Sequence, residues 1–219
     1  MATTFGLGYA LSVATIAGKI ILVLLFVVSI VSWTVIFTKY RQVHLAEKQG
    51  SSFLKALRSS EHFVEIFRSG RKWRDCPLFE LYSAGCGGIQ RASGVDDRVR
   101  VSLLEGVLER AVAEQVVRLE SQVSILGTAV SAAPFLGLLG TVWGVMDAFA
   151  GVALVGSANI GSLAPGIASA LVTTVVGLAV AIPSMVGYNI LVAQIRRLTM
   201  EMENFASEFL DIARKETNA

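Results

Sequence analysis

Asp, Glu, Lys and Arg are missing from 48 consecutive residues, Ala148 to Ile195, in a chain of 219 that otherwise carries 19 Lys and Arg and 17 Asp and Glu. A run of that length excludes a surface helix, which needs a charged face, and places the segment in lipid. Cysteine and histidine are also scarce, at two each. Cys76, Cys86, His44 and His62 lie apart without CxxC or HxxxH spacing, so a metal site is not expected and all four are read as structural. No histidine falls in an apolar run. Ser124, Ser131, Ser157, Ser162, Ser169 and Ser184 therefore lack the base that an intramembrane hydrolase requires. The net charge of +2 is too small for a nucleic-acid partner, and what lies outside the apolar runs leaves no room for a large soluble catalytic domain.

What is present is apolar: 53% of residues are hydrophobic. Besides the long run, Ser121 to Met146 is uncharged up to Asp147, and 18 uncharged residues span Ile20 to Phe37. A helix crosses a hydrocarbon core of about 30 Å with roughly 20 residues. The chain therefore reads as an all-α integral membrane protein with transmembrane helices over 16–38, 121–149 and 165–192. A segment 1–15 precedes the first span, a helical region 39–120 follows it, a connection 150–164 joins the second to the third, and a C-terminal helix occupies 193–219.

The basic residues set the orientation. Lys39, Arg41, Lys48, Lys55 and Arg58 follow the first span, Arg98, Arg100, Arg110 and Arg118 precede the second, and Arg196, Arg197, Arg214 and Lys215 follow the third. The positive-inside rule then predicts an outer N-terminus and a cytoplasmic C-terminus. Met1 to Gly18 lacks a basic n-region, so the first span is expected to be an uncleaved anchor.

In the polar region, residues 39 to 68 predict a helix continuing the first span, with an apolar stripe through Val43, Ala46, Phe53, Leu54, Leu57, Phe63, Ile66 and Phe67. Arg71 to Pro77 reads as a basic turn, Leu78 to Arg91 as a short helix, and Ser93-Gly94 as a break. From Asp96 and Asp97 the pattern Val99, Leu103, Val107, Val112, Val116, Leu119, Val123 predicts one long helix running into the second span. Leu198, Met202, Phe205, Phe209 and Ile212 form a last amphipathic face. These faces need burial in a cytoplasmic bundle or a subunit contact.

The second and third spans are rich in small residues. Pro134, Gly137, Leu138, Thr141, Gly144 and Val145 share one face; Ala170, Thr174, Gly177 and Ala181 share another. Each face alone reads as ordinary close packing, as in the Gly140-x-x-x-Gly144 pair. Two such faces in one short chain point to a smooth wall for a further helix, bearing only hydroxyls. Ionisable groups inside the membrane are nearly absent: Asp147 lies at the outer end of the second span, and Lys19 at the outer end of the first. A proton-coupled device built here would need its titrating carboxylate from another chain.

The motif Gly140-Thr-Val-Trp-Gly-Val-Met146, with Ala164-Pro-Gly-Ile-Ala168, Ala170-Leu171, Thr174, Gly177, Ala181-Ile-Pro183 and Tyr188-Asn189, resembles the signature of the MotA/TolQ/ExbB proton-channel family, nearest its TolQ and ExbB branches. The likeness extends to Lys19 and to Ser32-Trp33. It implies an inner-membrane subunit of a proton-driven motor forming a homopentameric ring around a TolR- or ExbD-like single-span partner whose membrane Asp titrates. Force would pass to a TolA- or TonB-like protein that acts on the outer membrane, with no cofactor and no enzymatic turnover. By motif position Thr141 and Thr174 match pore-facing threonines. Thr173, Ser169 and Asp147 are expected along the same path; Pro134, Gly137, Gly140, Gly144, Pro165, Gly166, Ala170, Gly177, Ala181 and Pro183 at helix contacts and kinks; and Lys19 at the interface with the bilayer. Two departures stand out: many members of the family carry Glu where this chain has Ser169, and a neutral polar residue where it has Asp147. The alternative is a non-conducting membrane scaffold whose small faces only pack.

Overall fold

The computed structural model describes residues 15–60, 65–70, 72–92, 96–155 and 160–218. The expected N-terminal segment apart from Thr15, Phe63, Arg71, Ser93-Gly94 and residues 156–159 of the expected connection lie outside the described residues. Among those described, every regular element is a helix: α1 Ile16–Ser59, α2 Glu65–Arg68, α3 Pro77–Arg91, α4 Asp97–Glu120, α5 Val123–Val155 and α6 Ile160–Asn218. Three of them, α1, α5 and α6, contain segments long and apolar enough to cross a membrane.

Contacts divide the chain into two units, one built from the apolar part of α1 up to Phe37 with Gln122–Asn189, the other from Thr38–Ser121 with the chain from Ile190 onward. In the first, Ile21 and Leu25 of α1 pack with Ala133 of α5 and with Val180 and Ala181 of α6, joined by Val28, Leu136 and Val176. A Cβ at Gly187 would lie 2.7 Å from Ile36 Cδ1, so glycine there admits the isoleucine.

The second unit is a helical bundle around aromatic rings. Phe53 touches Trp73, Phe79, Tyr82 and Phe205 with ring centroids 5.4 to 6.0 Å apart, and Phe209 extends the cluster to Tyr82 at 6.3 Å. The α6 contribution follows the expected periodicity: Leu191, Ile195, Leu198, Met202, Phe205 and Phe209 are all buried. The Tyr82 hydroxyl accepts the Phe67 N–H at 3.1 Å, tying α2 to α3. Cys76 and Cys86 are both buried thiols, neither in a disulfide. Burial pushes the Cys76 thiol up to about 11, against smaller opposing pulls from the Phe79 and Leu78 backbone. No group of His, Cys, Asp and Glu among the described residues is placed to hold a metal.

Three boundaries differ from expectation. The helix continuing the first span ends at Ser59, and the next helix among the described residues is the single turn Glu65–Arg68. Helix covers most of the expected 150–164 connection, because α5 runs to Val155 and α6 begins at Ile160. The single helix expected from Asp97 through the second span is broken: α4 stops at Glu120, and Gln122 has φ 68°, in the left-handed region that costs a side chain roughly 1–2 kcal/mol. No glycine or proline lies between Arg118 and Val123 to explain the stop.

At this break lies Lys39, 4% exposed. Its three Nζ protons have four acceptors within reach: the carbonyls of Arg118 at 3.2 Å and Leu119 at 3.3 Å, Ser121 Oγ at 3.0 Å and Gln42 Oε1 at 3.0 Å. A cation on the open carbonyls at a helix C-terminus is favoured by both hydrogen bonding and the helix dipole. Burial holds the ammonium below the ordinary lysine pKa, and Arg118 nearby acts in the same direction.

Candidate functional site

Glycine decides how closely α5 and α6 approach. A Cβ at Gly137 would lie 3.0 Å from both the Thr173 carbonyl oxygen and Thr174 Cα; one at Gly177, 2.7 Å from the Ala133 carbonyl oxygen; one at Gly144, 2.7 Å from Ala170 Cβ. At Gly140 it would collide with the Thr173 side chain. Further along, Gly166 fits against Ala148, with 3.1 Å to the alanine Cβ. The two small-residue faces that looked like a wall for another helix are thus used, through Gly137, Gly140, Gly144, Ala170 and Gly177, on each other. Without a hydrophobic drive between helices in lipid, close backbone approach is what such a pair gains from small side chains.

Two hydroxyls are buried at this seam. Thr173 is 1% exposed and donates to its own helix at Ala170 O, 2.7 Å, with Gly137 O at 3.1 Å. Expected along the path, it is buried between the two helices, where it fills the space left by Gly140. Ser169, at 5% exposure, is buried as well. The physical reason is one of phase: neighbouring positions on a helix are about 100° apart, so Thr173 and Thr174 cannot share an outlook.

Thr174 and Thr141 differ from these. Both are half-buried, and their Oγ1 atoms are 3.5 Å apart across the two helices. Thr174 donates to Gly137 O at 3.0 Å and Thr141 to Leu138 O at 2.7 Å. The Thr174 hydroxyl also lies within reach of Thr141 Oγ1, and each oxygen keeps lone pairs, so the pair can accept a hydrogen bond from a donor that approaches while its protons rest on carbonyls. Asp147 is half-buried on α5, six residues beyond Thr141 and thus about 9 Å further along the axis. Lys19 is exposed, Pro134, Pro165 and Pro183 are half-buried within their helices, and Ala181 belongs to the core under α1.

A feature that the sequence reading did not single out lies nearer the start of α5. Ser124, Thr128 and Ser131, at helical spacing, line an open groove with Phe135 and Tyr188. Thr128 and Ser131 each donate to the carbonyl four residues back, both at 3.1 Å, which is how a membrane helix satisfies its own hydroxyls. The i, i+4, i+7 spacing was the available signal.

A model of the MotA/TolQ/ExbB proton channel family matches residues 84–204, more than half of the chain and all of this hairpin seam. The chain belongs to that family. It is 29% identical over 208 residues to the Tol-Pal system protein TolQ of Haemophilus influenzae, covering 93% of this chain and 91% of that protein. Against TolQ of Pseudomonas aeruginosa the identity is 29% over 213 residues, with 95% and 92% covered. Against the biopolymer transport protein ExbB of Salmonella typhimurium it is 30% over 201 residues, with 90% and 82% covered. Family membership and three apolar helices make it a bacterial membrane protein of a channel family rather than an enzyme.

Proposed function

We propose that this chain is the multi-pass subunit of a proton-driven inner-membrane motor of the Tol-Pal or TonB type, with its N-terminus outside and C-terminus in the cytoplasm. Several copies would surround a single-span partner that carries the titrating membrane carboxyl. The relatives' names, a Tol-Pal system protein and a biopolymer transport protein, support this reading.

The observation that carries it is the Thr141–Thr174 pair at 3.5 Å, whose protons are already committed to Leu138 and Gly137 carbonyls. Such a pair stabilises a hydrogen-bond donor. With the hydroxyl protons resting on those carbonyls, a protonated carboxyl or a hydrated proton is favoured over a bare carboxylate, and hydrogen bonding to the neutral form raises a carboxyl's pKa. The pair therefore favours the partner's carboxyl in its protonated state as it passes, the state in which it crosses an apolar wall at least cost. Each proton moving down about 100 mV releases roughly 2.3 kcal/mol, enough to drive a helix over low, repeated barriers.

Replacing Thr174 with Val keeps the shape and removes the acceptor. Motor output and partner-dependent proton flux should then fall while the assembled complex still purifies intact. Undiminished output from Thr174→Val would leave the pair as packing and favour a scaffold.

A further inference from the structure

We propose that Lys39 is the residue that ends α4, and that by fixing where the second span starts it acts as a positioning residue for the hydroxyl pair on α5. The backbone ladder of α4 makes its last bond from Ser121 N–H to Val117 O at 3.0 Å. To continue, the helix would need Gln122 N–H to reach Arg118 O and Val123 N–H to reach Leu119 O. Those two carbonyls are the ones the Lys39 ammonium holds, at 3.2 and 3.3 Å, while Ser121 Oγ at 3.0 Å and Gln42 Oε1 at 3.0 Å complete its surroundings. An ammonium with three protons thus competes directly with the next turn of helix for its acceptors.

The competition explains an otherwise unsupported conformation. Helices commonly end with glycine in the left-handed region; here that place is taken by Gln122 at φ 68°. No glycine or proline lies between Arg118 and Val123; locally the Ser121 hydroxyl donates to Arg118 O at 2.8 Å, and what holds Leu119 O comes from a side chain 80 positions earlier in sequence. Being 96% buried would waste a lysine whose only task was to mark the cytoplasmic side, since exposed neighbours such as Arg41 and Lys48 serve that purpose.

The helix-ending role stands on these contacts alone; the positioning role rests on the proton-path reading above. The test uses the full chain with its single-span partner in lipid bilayers and compares Lys39→Met, which keeps length but loses the donors, with the double variant Lys39→Met/Gln122→Gly. Glycine adopts positive φ without steric cost and should end the helix unaided. Two quantities are read: amide hydrogen exchange at Gln122 and Val123, and partner-dependent proton flux. In Lys39→Met the two amides gain helical bonds, so their exchange should slow about tenfold or more, and flux should drop by a similar factor. The double variant should return both to within about twofold of the parent. Unchanged exchange at both amides in Lys39→Met would overturn the helix-ending role. Restored exchange without restored flux would overturn the positioning role. Failure of single and double variants alike to accumulate would also count against the proposal, since it would mean that Lys39 supplies something a glycine stop cannot. A normal flux in Thr174→Val removes the proton-path reading instead, and leaves the exchange result to judge Lys39 separately.

Discussion

Between α5 and α6 the closest contacts are made by Gly137, Gly140, Gly144 and Gly177, whereas the polar unit closes on Phe53, Trp73, Phe79, Tyr82, Phe205 and Phe209. The two regions answer different solvents. In water, burying a large ring removes apolar area from solvent, and stability grows with ring size. In lipid that gain is absent, and stability grows instead with how near two backbones come. A hydroxyl is tolerable at the membrane seam because a carbonyl is always within reach, as Thr173 and Thr174 both find at Gly137.

The contrast can be broken from either side. Phe53→Ala should be the most damaging single change, at about 3–5 kcal/mol, because it empties the centre of the aromatic cluster. Chemical denaturation of the polar unit followed by tryptophan fluorescence would read it through Trp73, which packs on Phe53 at 5.4 Å. A loss below about 1 kcal/mol would mean the rings are peripheral. On the membrane side, Gly177→Ala should cost about 1–3 kcal/mol, since its new methyl faces the Ala133 backbone at 2.7 Å and backbone cannot step aside. Gly151→Ala, with nothing within 4 Å, is the matched control and should be neutral or stabilising. Equal thermal stability of the two variants in detergent would contradict the close-approach account.

Smaller effects sharpen the polar side. Tyr82→Phe keeps the ring and orphans the Phe67 N–H, so a loss of about 0.5–1.5 kcal/mol is expected. A change as large as that of Phe53→Ala would show the hydroxyl, not the ring, to be decisive. Finally, Cys76 is held neutral by burial, its folded value of about 11 lying above the ordinary 9.0. Its stabilising contribution is complete below pH 9 and is lost as pH rises towards 11, because the unfolded thiol releases its proton first. Maleimide labelling of the folded protein at pH 8 should therefore be slow, and labelling as fast as a free thiol would place Cys76 outside the core.

Much of this was legible in sequence because charge and periodicity are one-dimensional signals. The three spans follow from uncharged runs, and the 198, 202, 205, 209 spacing marked the α6 face that is buried. The seam was visible as glycines, but not its occupant: small faces on α5 and α6 pair with each other, and only three dimensions distinguish that from a wall awaiting another helix. Thr173 and Thr174 are adjacent and chemically alike, yet one is sealed and the other half-open, a difference of helix phase against a neighbour. The break at Ser121-Gln122 was hidden for a stronger reason. Local propensity at 118–123 favours continuing the helix, and the stop is imposed by Lys39 from another helix.

The central claim is that this chain contributes acceptors to a proton path and lacks the group that titrates on it. Proton flux into liposomes measures this directly, comparing the purified chain alone with the chain co-reconstituted with its single-span partner. The account predicts flux at the level of empty liposomes for the chain alone and a clear rise once the partner's membrane carboxyl is present; sustained proton flux through the chain by itself would contradict it.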